Sequence, residues 1–455
     1  MNFLKNILSI KKQDTKWEIN NVKFGVILLV LLFILMNVVL VYPKWSFFVL
    51  VVGVTLIFSW NIGLWRSMIL ISSSATVLRS SAVGYMLTDF VWYIFQFTPL
   101  CIAIIFLLTR PRQKLRKIDR IILVTLGLFN LTALFTTLTG IAAKNTLLQA
   151  SLLILVSVFL GLTYTRRWSR QNQIRGDLAT IFIFMVVVQG IGLLGSLLNF
   201  SWAIADYGRF QGVFSNANYA GMISVIGIML SLYLIVTRKH GTGFFYVLPG
   251  LILVITLILS GSRGALLAIF FGILALMGVN KHRKLLIPIT FIATSLALSL
   301  LMIYLSFFEF GSNGGSFDRT IQNSDITSGR VEIYKVLIIN WLESPLFGTG
   351  YKTTEMLKGI EGISGHNIYL SVLAEMGIIG CFLFIFLIFN ILRGGQYTGE
   401  NKMLLGAVIT VFAMELTESS MFGFGGPTAL FAWIIVLAFA SSRNKLESTF
   451  NEVNK

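Results

Sequence analysis

The sequence predicts an all-α polytopic membrane protein, and three features carry that prediction. The chain of 455 residues is 56% hydrophobic and only 12% charged, with a mean hydropathy of +0.83. Apolar stretches close to the ~20 residues that a bilayer-crossing helix needs recur from end to end. Basic residues gather in short loops between those stretches, as they do on the cytoplasmic side of a many-span protein. The net charge of +17 therefore has a topological cause, and no nucleic-acid partner is implied. Both cysteines, Cys101 and Cys381, fall inside apolar spans, which argues against a disulfide framework or a metal site.

The elements follow in order. Lys5, Lys11, Lys12, Lys16 and Lys23 precede the first span, and no cleavable signal pattern is present. Spans are expected near 24–42, 45–60, 64–78, 90–109, 121–138, 147–164, 178–198, 218–237, 244–260, 264–279, 285–308, 367–392, 403–422 and 427–440. That is about fourteen; if the Ser-rich stretch 64–78 and its neighbour form a shallow hairpin, about twelve remain. The densest basic loop is 110–120, followed by 166–175, 238–240, 281–284 and 443–445, and the positive-inside rule places all of them in the cytoplasm. The expected architecture is a single integral membrane domain over 1–455, with about 12–14 transmembrane helices.

That topology leaves a few polar residues on the outer side. They are Arg209, Arg263, Arg319, Arg330, Asn218 and His366. The longer outer segment, 309–365, exceeds a simple connection and is expected to be functional. Within it, Tyr334, Leu337, Ile338, Trp341 and Leu342 recur at helical spacing, which predicts an interfacial helix over 331–342 that ends at Ser344-Pro345. Each residue also has a plainer reading. Arg209 and Arg330 suit snorkelling to headgroups, and His366 and Asn367 suit a helix cap. Glu375, Glu415 and Glu418 lie in or near late spans, where pairing with an Arg of a neighbouring helix is expected. Arg263 sits in a short turn between two apolar runs. An arginine near hydrocarbon is costly there, so an anionic partner is expected.

Taken in order, the motifs are RFQGVFSNANYAG (209–221), SGSRGALLA (260–268), SGR (328–330), PLFGTGY (345–351), GHNIYL (365–370) and EMGIIG (375–380). Together they resemble the O-antigen ligase and Wzy-type polysaccharide polymerase superfamily. The resemblance runs from Arg209 to Gly380, and the N-terminal spans match in hydropathy alone. Many members have Pro before the second Asn, where this chain has Ala217. The resemblance implies a membrane-embedded, GT-C-like, inverting glycosyltransferase that needs no metal and no cofactor. It implies a bacterial cytoplasmic membrane, an active site on the extracytoplasmic face, and a donor glycan on undecaprenyl diphosphate. A chain-length regulator and a flippase are the implied partners, besides membrane lipid.

The residues fit that chemistry. Guanidinium groups clamp phosphate oxygens through paired, charge-assisted bonds, and they stabilise the charge that grows on a departing diphosphate. Arg209 and Arg263 are expected on the diphosphate, with Arg330 in support. His366 is the expected base that takes a proton from the acceptor hydroxyl, its ordinary pKa of about 6.5 being suitable. Glu375 and Glu418 are the alternatives for that role. Asn218, Asn367 and Glu375 are expected to contact sugar or phosphate. Phe317, Tyr334, Trp341 and Tyr351 suit either sugar stacking or, more simply, interfacial anchoring. Polymerisation of lipid-linked repeat units is the expected activity, and transfer of a finished glycan to another acceptor is the alternative. A flippase is the alternative of another class. It fits less well, because the polar residues gather at one surface and no internal repeat is visible.

Overall fold

The structure, a computed structural model, describes residues 63–81, 89–113, 115–168, 171–205, 208–237, 242–278, 329–397, 399, 401–424 and 426–442. Among these it is all-α, with one isolated antiparallel bridge between Ile204 and Phe210. The helices are α1 (Leu64–Arg79), α2 (Asp89–Leu108), α3 (Lys117–Thr139), α4 (Ala143–Leu162) and α5 (Gln171–Leu197). Then come α6 (Ala217–Thr237), α7 (Val247–Ser260), α8 (Arg263–Gly278), α9 (Arg330–Glu343), α10 (Ile368–Gly394), α11 (Asn401–Met414) and α12 (Ala429–Ser441). Among the described residues, six helices are long and apolar enough to cross a membrane, namely α2 to α6 and α10, and α7, α8, α11 and α12 are shorter apolar helices. The protein is a multi-pass membrane protein. The spans expected at 24–42, 45–60 and 285–308, the loop 309–328 with Phe317 and Arg319, and the basic clusters 238–240, 281–284 and 443–445 lie outside the described residues.

Burial sorts the helices. α12 is buried along almost its whole length and forms the centre, and α6 is similar. α3 instead turns Val124, Leu128, Leu131, Phe135 and Leu138 outward, as a lipid-facing helix does. Phe129 of α3 stacks on Phe422 at 4.9 Å, and Phe384 of α10 meets Phe422 edge-on at 5.2 Å. Some polar side chains within helices bond to the helix's own backbone. In α1, the Ser74 and Thr76 hydroxyls donate to the carbonyls of Leu70 and Ser72, which lets a Ser-rich sequence remain helical.

The two ends of the bundle differ. At one end buried charges cross-link helices. Asp177 receives Arg66 Nε at 2.7 Å and Arg167 Nη2 at 2.6 Å. Arg116 caps two helix C-termini at once through the carbonyls of Gly394 and Ala440. At the opposite end the connections are held by backbone bonds. Ser215 N–H donates to Ser80 O, Ile141 N–H to Thr349 O, and Ile368 N–H to Glu415 O.

Three elements depart from the sequence-based expectation. The span expected at 403–422 stops at Met414, because the Glu415 carboxylate accepts from the amides of Ser420 and Met421 and closes a turn. The span expected at 367–392 is one helix with a break at Gly377, which has φ 65° and ψ −166°. The segment after α9 fills that break. Ile378 N–H donates to Pro345 O, while Thr349 and Gly350 N–H donate to the carbonyls of Ala374 and Glu375, each at 2.9 Å. The helix expected at 331–342 forms as α9 and ends before Ser344, but its apolar face is shifted. Ile333, Tyr334 and Leu337 pack inward with Leu370 and Ala374 of α10, and Ile338 is buried, while Leu342 remains 63% exposed.

Candidate active site

The site is assembled at the end of the bundle where α6, α8, α9 and α10 begin and where α7 and α11 finish. Its hub is Glu418, in the turn after α11. One carboxylate oxygen, Oε1, accepts from Asn218 Nδ2 at 3.0 Å and from Arg330 Nη2 at 3.2 Å. The other, Oε2, lies 3.1 Å from His366 Nδ1. Asn218 extends the chain, since its Oδ1 accepts from Arg209 Nη2 at 3.0 Å. Arg209 Nε donates in turn to Ser260 O at 2.8 Å, at the C-terminus of α7. One hydrogen-bonded string therefore joins Arg209, Asn218, Glu418, Arg330 and His366, which come from four distant stretches of sequence.

Local structure explains each placement. Asn218 lies in the first turn of α6, and its amide N–H donates to Asn216 Oδ1 at 2.8 Å. Gly261, in the left-handed conformation, ends α7 and reverses the chain, so that Arg263 becomes the first residue of α8. Gly264 lets α8 approach the hub closely, because a Cβ there would stand 2.2 Å from Thr417 Oγ1, next to Glu418. Arg263 is exposed at this same turn. Its neighbours bind it to the site on both sides, with Ser260 on Arg209 and Gly264 on Thr417.

His366 sits immediately before the N-cap of α10. Its backbone has φ 48°, an uncommon left-handed value for a residue with a side chain. Two flanking contacts hold it there. Tyr334 of α9 donates its hydroxyl to His366 O at 3.1 Å. Asn367 caps α10 by accepting from the amides of Tyr369 and Leu370. Burial pushes the Tyr334 hydroxyl above its ordinary pKa, which keeps it protonated as that donor.

Arg209, Asn218, Arg330 and His366 are thus brought together, with Arg263 at the adjoining turn. Asn367 and Glu375 are placed differently from the other expected contact residues. Asn367 is 1% exposed, its Oδ1 engaged in the cap and its Nδ2 donating to Leu416 O at 3.2 Å. Glu375 is buried behind the loop that fills the α10 break and accepts from Thr354 Oγ1 at 2.6 Å. Both have occupations inside the packing. Tyr334 is also a packing residue, and Tyr351 is buried with its hydroxyl turned to Phe422 O. The residue least visible beforehand is Glu418. Sequence shows a carboxylate near a span end that suits an arginine partner or serves as an alternative to His366 as base; only the fold shows that it gathers an arginine, an asparagine and a histidine.

The arrangement has a definite chemical capacity. An imidazole whose Nδ1–H is engaged by a carboxylate presents Nε2 as the acceptor of a proton. Guanidinium groups beside it suit a phosphorylated ligand. Among the described residues, no three His, Cys, Asp or Glu side chains cluster as metal ligands do. No curated protein matches the chain. A family model described as O-antigen ligase matches residues 248–385, which hold Arg263, Arg330 and His366, while Arg209, Asn218 and Glu418 lie outside that stretch and join it through hydrogen bonds. Over residues 248–385, the chain is similar to the O-antigen ligase family.

Proposed function

We propose that this protein is a metal-independent, inverting glycosyltransferase that joins polyprenyl-diphosphate-linked oligosaccharide repeat units into a polysaccharide. The observation that carries this reading is the Glu418 hub, which couples a proton acceptor, His366, to the guanidinium groups of Arg330 and, through Asn218, Arg209. The acceptor hydroxyl oxygen attacks the anomeric carbon of the donor sugar from the face opposite the diphosphate. Its proton passes to His366 Nε2. The bond from the anomeric carbon to the diphosphate oxygen breaks, its electron pair stays on the diphosphate, and the configuration inverts. Arg209 and Arg263, with Arg330 in support, meet the charge as it grows. Glu418 holds the imidazole in the required tautomer and stabilises the imidazolium that follows.

The outward-facing end of the bundle is read from charge. Arg110, Arg112, Arg166 and Arg167 cluster at the end away from the Glu418 hub, which the positive-inside rule assigns to the cytoplasm. The hub then faces outside a bacterial cytoplasmic membrane, with residues 329–365, the described part of the outer segment 309–365, beside it. The length of that segment suits two glycans at once and so favours polymerisation. The family description favours a second reading, transfer of a finished glycan to a different acceptor. Purified protein given a single species of undecaprenyl-diphosphate-linked repeat unit separates the two. A ladder of lengthened products is expected. Absence of any ladder, with transfer appearing only once a second lipid or cell-wall acceptor is added, would establish the ligase reading instead.

A further inference from the structure

Beyond the hub, a further arginine stands at the same end of the bundle with a built support. Arg79 is the last residue of α1. Its Nη2 donates to Tyr93 Oη at 3.1 Å, and its guanidinium carbon lies 4.3 Å from the centre of the Tyr93 ring. Tyr93, in the second turn of α2, receives a further bond from Gln149 Nε2 of α4 at 2.7 Å. A flexible side chain is thus laid on an aromatic platform that is itself pinned from a third helix. This lowers the freedom lost when the guanidinium engages a ligand.

The location ties this support to the hub. Ser80, next in sequence, accepts at its carbonyl from the amide of Ser215, in the loop that runs from Arg209 to Asn218. Tyr219, the residue after Asn218, interacts electrostatically with Glu418, Glu355 and Arg79. The end of α1 that carries Arg79 therefore adjoins the Arg209–Asn218 loop. We propose that Arg79, positioned by Tyr93 and Gln149, is an additional phosphate-binding residue of this site and engages the diphosphate of the lipid-linked substrate. None of these three residues belongs to the stretch similar to the O-antigen ligase family. The inference rests on the function proposed above and names a contact that the motifs do not contain.

The test is binding of undecaprenyl diphosphate and of undecaprenol to the purified full chain in lipid nanodiscs, for wild type, Arg79→Ala, Arg79→Lys, Tyr93→Phe and Arg209→Ala. Loss of one charge-assisted interaction predicts that Arg79→Ala weakens diphosphate binding by about tenfold or more. Undecaprenol binding should be unchanged, which a merely structural defect would not spare. Lys should recover part of the affinity, and Tyr93→Phe, which keeps the ring and loses the hydroxyl, should fall between Arg79→Ala and wild type. Wild-type diphosphate affinity in Arg79→Ala, with affinity lost in Arg209→Ala, overturns the Arg79 assignment alone. Equal loss of diphosphate and undecaprenol binding in Arg79→Ala also overturns it. A wild-type chain that does not prefer the diphosphate over undecaprenol overturns both this assignment and the function on which it rests.

Discussion

Glu418 uses each of its oxygens for a different purpose, and this makes the hub testable one group at a time. Oε1 orients Arg330 and Asn218, whereas Oε2 faces the imidazole. Glu418→Gln keeps the shape and removes the charge. It should leave the protein folded and reduce turnover by up to about 10⁴-fold, the loss seen when the carboxylate behind a catalytic histidine is replaced by its amide. Glu418→Ala should be worse and should also lower stability, because Arg330 is left partly buried without its carboxylate. A Glu418→Gln variant with wild-type turnover would remove the carboxylate from the mechanism. At Arg263, exposed at the first position of α8, replacement by Ala should abolish product while protein still accumulates in the membrane, and Lys should restore little because it lacks the forked donor set. Product at wild-type levels from Arg263→Ala would exclude that arginine from the site. Residue identity was legible in part. Arg209, Arg263 and His366 stand out as polar groups at span ends. Asn367 and Glu375 stand out equally; the cap that claims Asn367 is a local pattern the sequence also shows, whereas the buried Thr354 contact that claims Glu375 depends on packing that no local pattern encodes.

At the scale of elements, the segment from α9 to α10 is one mechanical unit. α9 carries Arg330, α10 begins just after His366, and the connection between them is seated in the break of α10. Two glycines permit the seat. Gly377 has φ 65°, and a Cβ there would stand 2.2 Å from Leu346 O. Gly348 has φ 70°, and a Cβ would stand 2.4 Å from the carbonyl carbon of Glu375. Both obstacles are backbone, so neither can rotate away. Gly377→Ala and Gly348→Ala should each cost at least the roughly 1–3 kcal/mol of a strained backbone, and each should displace Arg330 relative to His366. Thermal unfolding in detergent should show a lowered midpoint for both variants, and an unchanged midpoint would contradict the described seat. This coupling was not legible in the sequence. The motif PLFGTGY shows turn residues, but a turn does not announce which helix it will enter. The end of α11 at Met414 was partly legible, since Glu415, Thr417, Glu418, Ser419 and Ser420 break the apolar run before Met421 and Phe422, but only the fold shows the Glu415 carboxylate closing the turn.

For the whole molecule, composition and charge spacing led directly to an all-α membrane protein, because hydrocarbon leaves the backbone little alternative to helices. The separation of the two bundle ends follows from the same source. Basic residues cross-link and cap helices at one end, while the opposite end gathers polar groups around a single carboxylate. If guanidinium groups take the place of a metal at the diphosphate, activity should persist in EDTA. Loss of activity in EDTA that magnesium or manganese restores would show that charge neutralisation is not left to arginine. The proposed mechanism depends most on His366 acting as the base while the arginines hold the donor. The direct measurement is single-turnover transfer from an undecaprenyl-diphosphate-linked repeat unit by liposome-reconstituted wild type and His366→Gln, with donor binding recorded on the same preparations. Glutamine can hydrogen-bond to a sugar but cannot accept a proton near neutral pH. The account predicts a fall of about 10²- to 10⁴-fold in the rate of transfer with donor binding preserved; near-normal transfer by His366→Gln would contradict it.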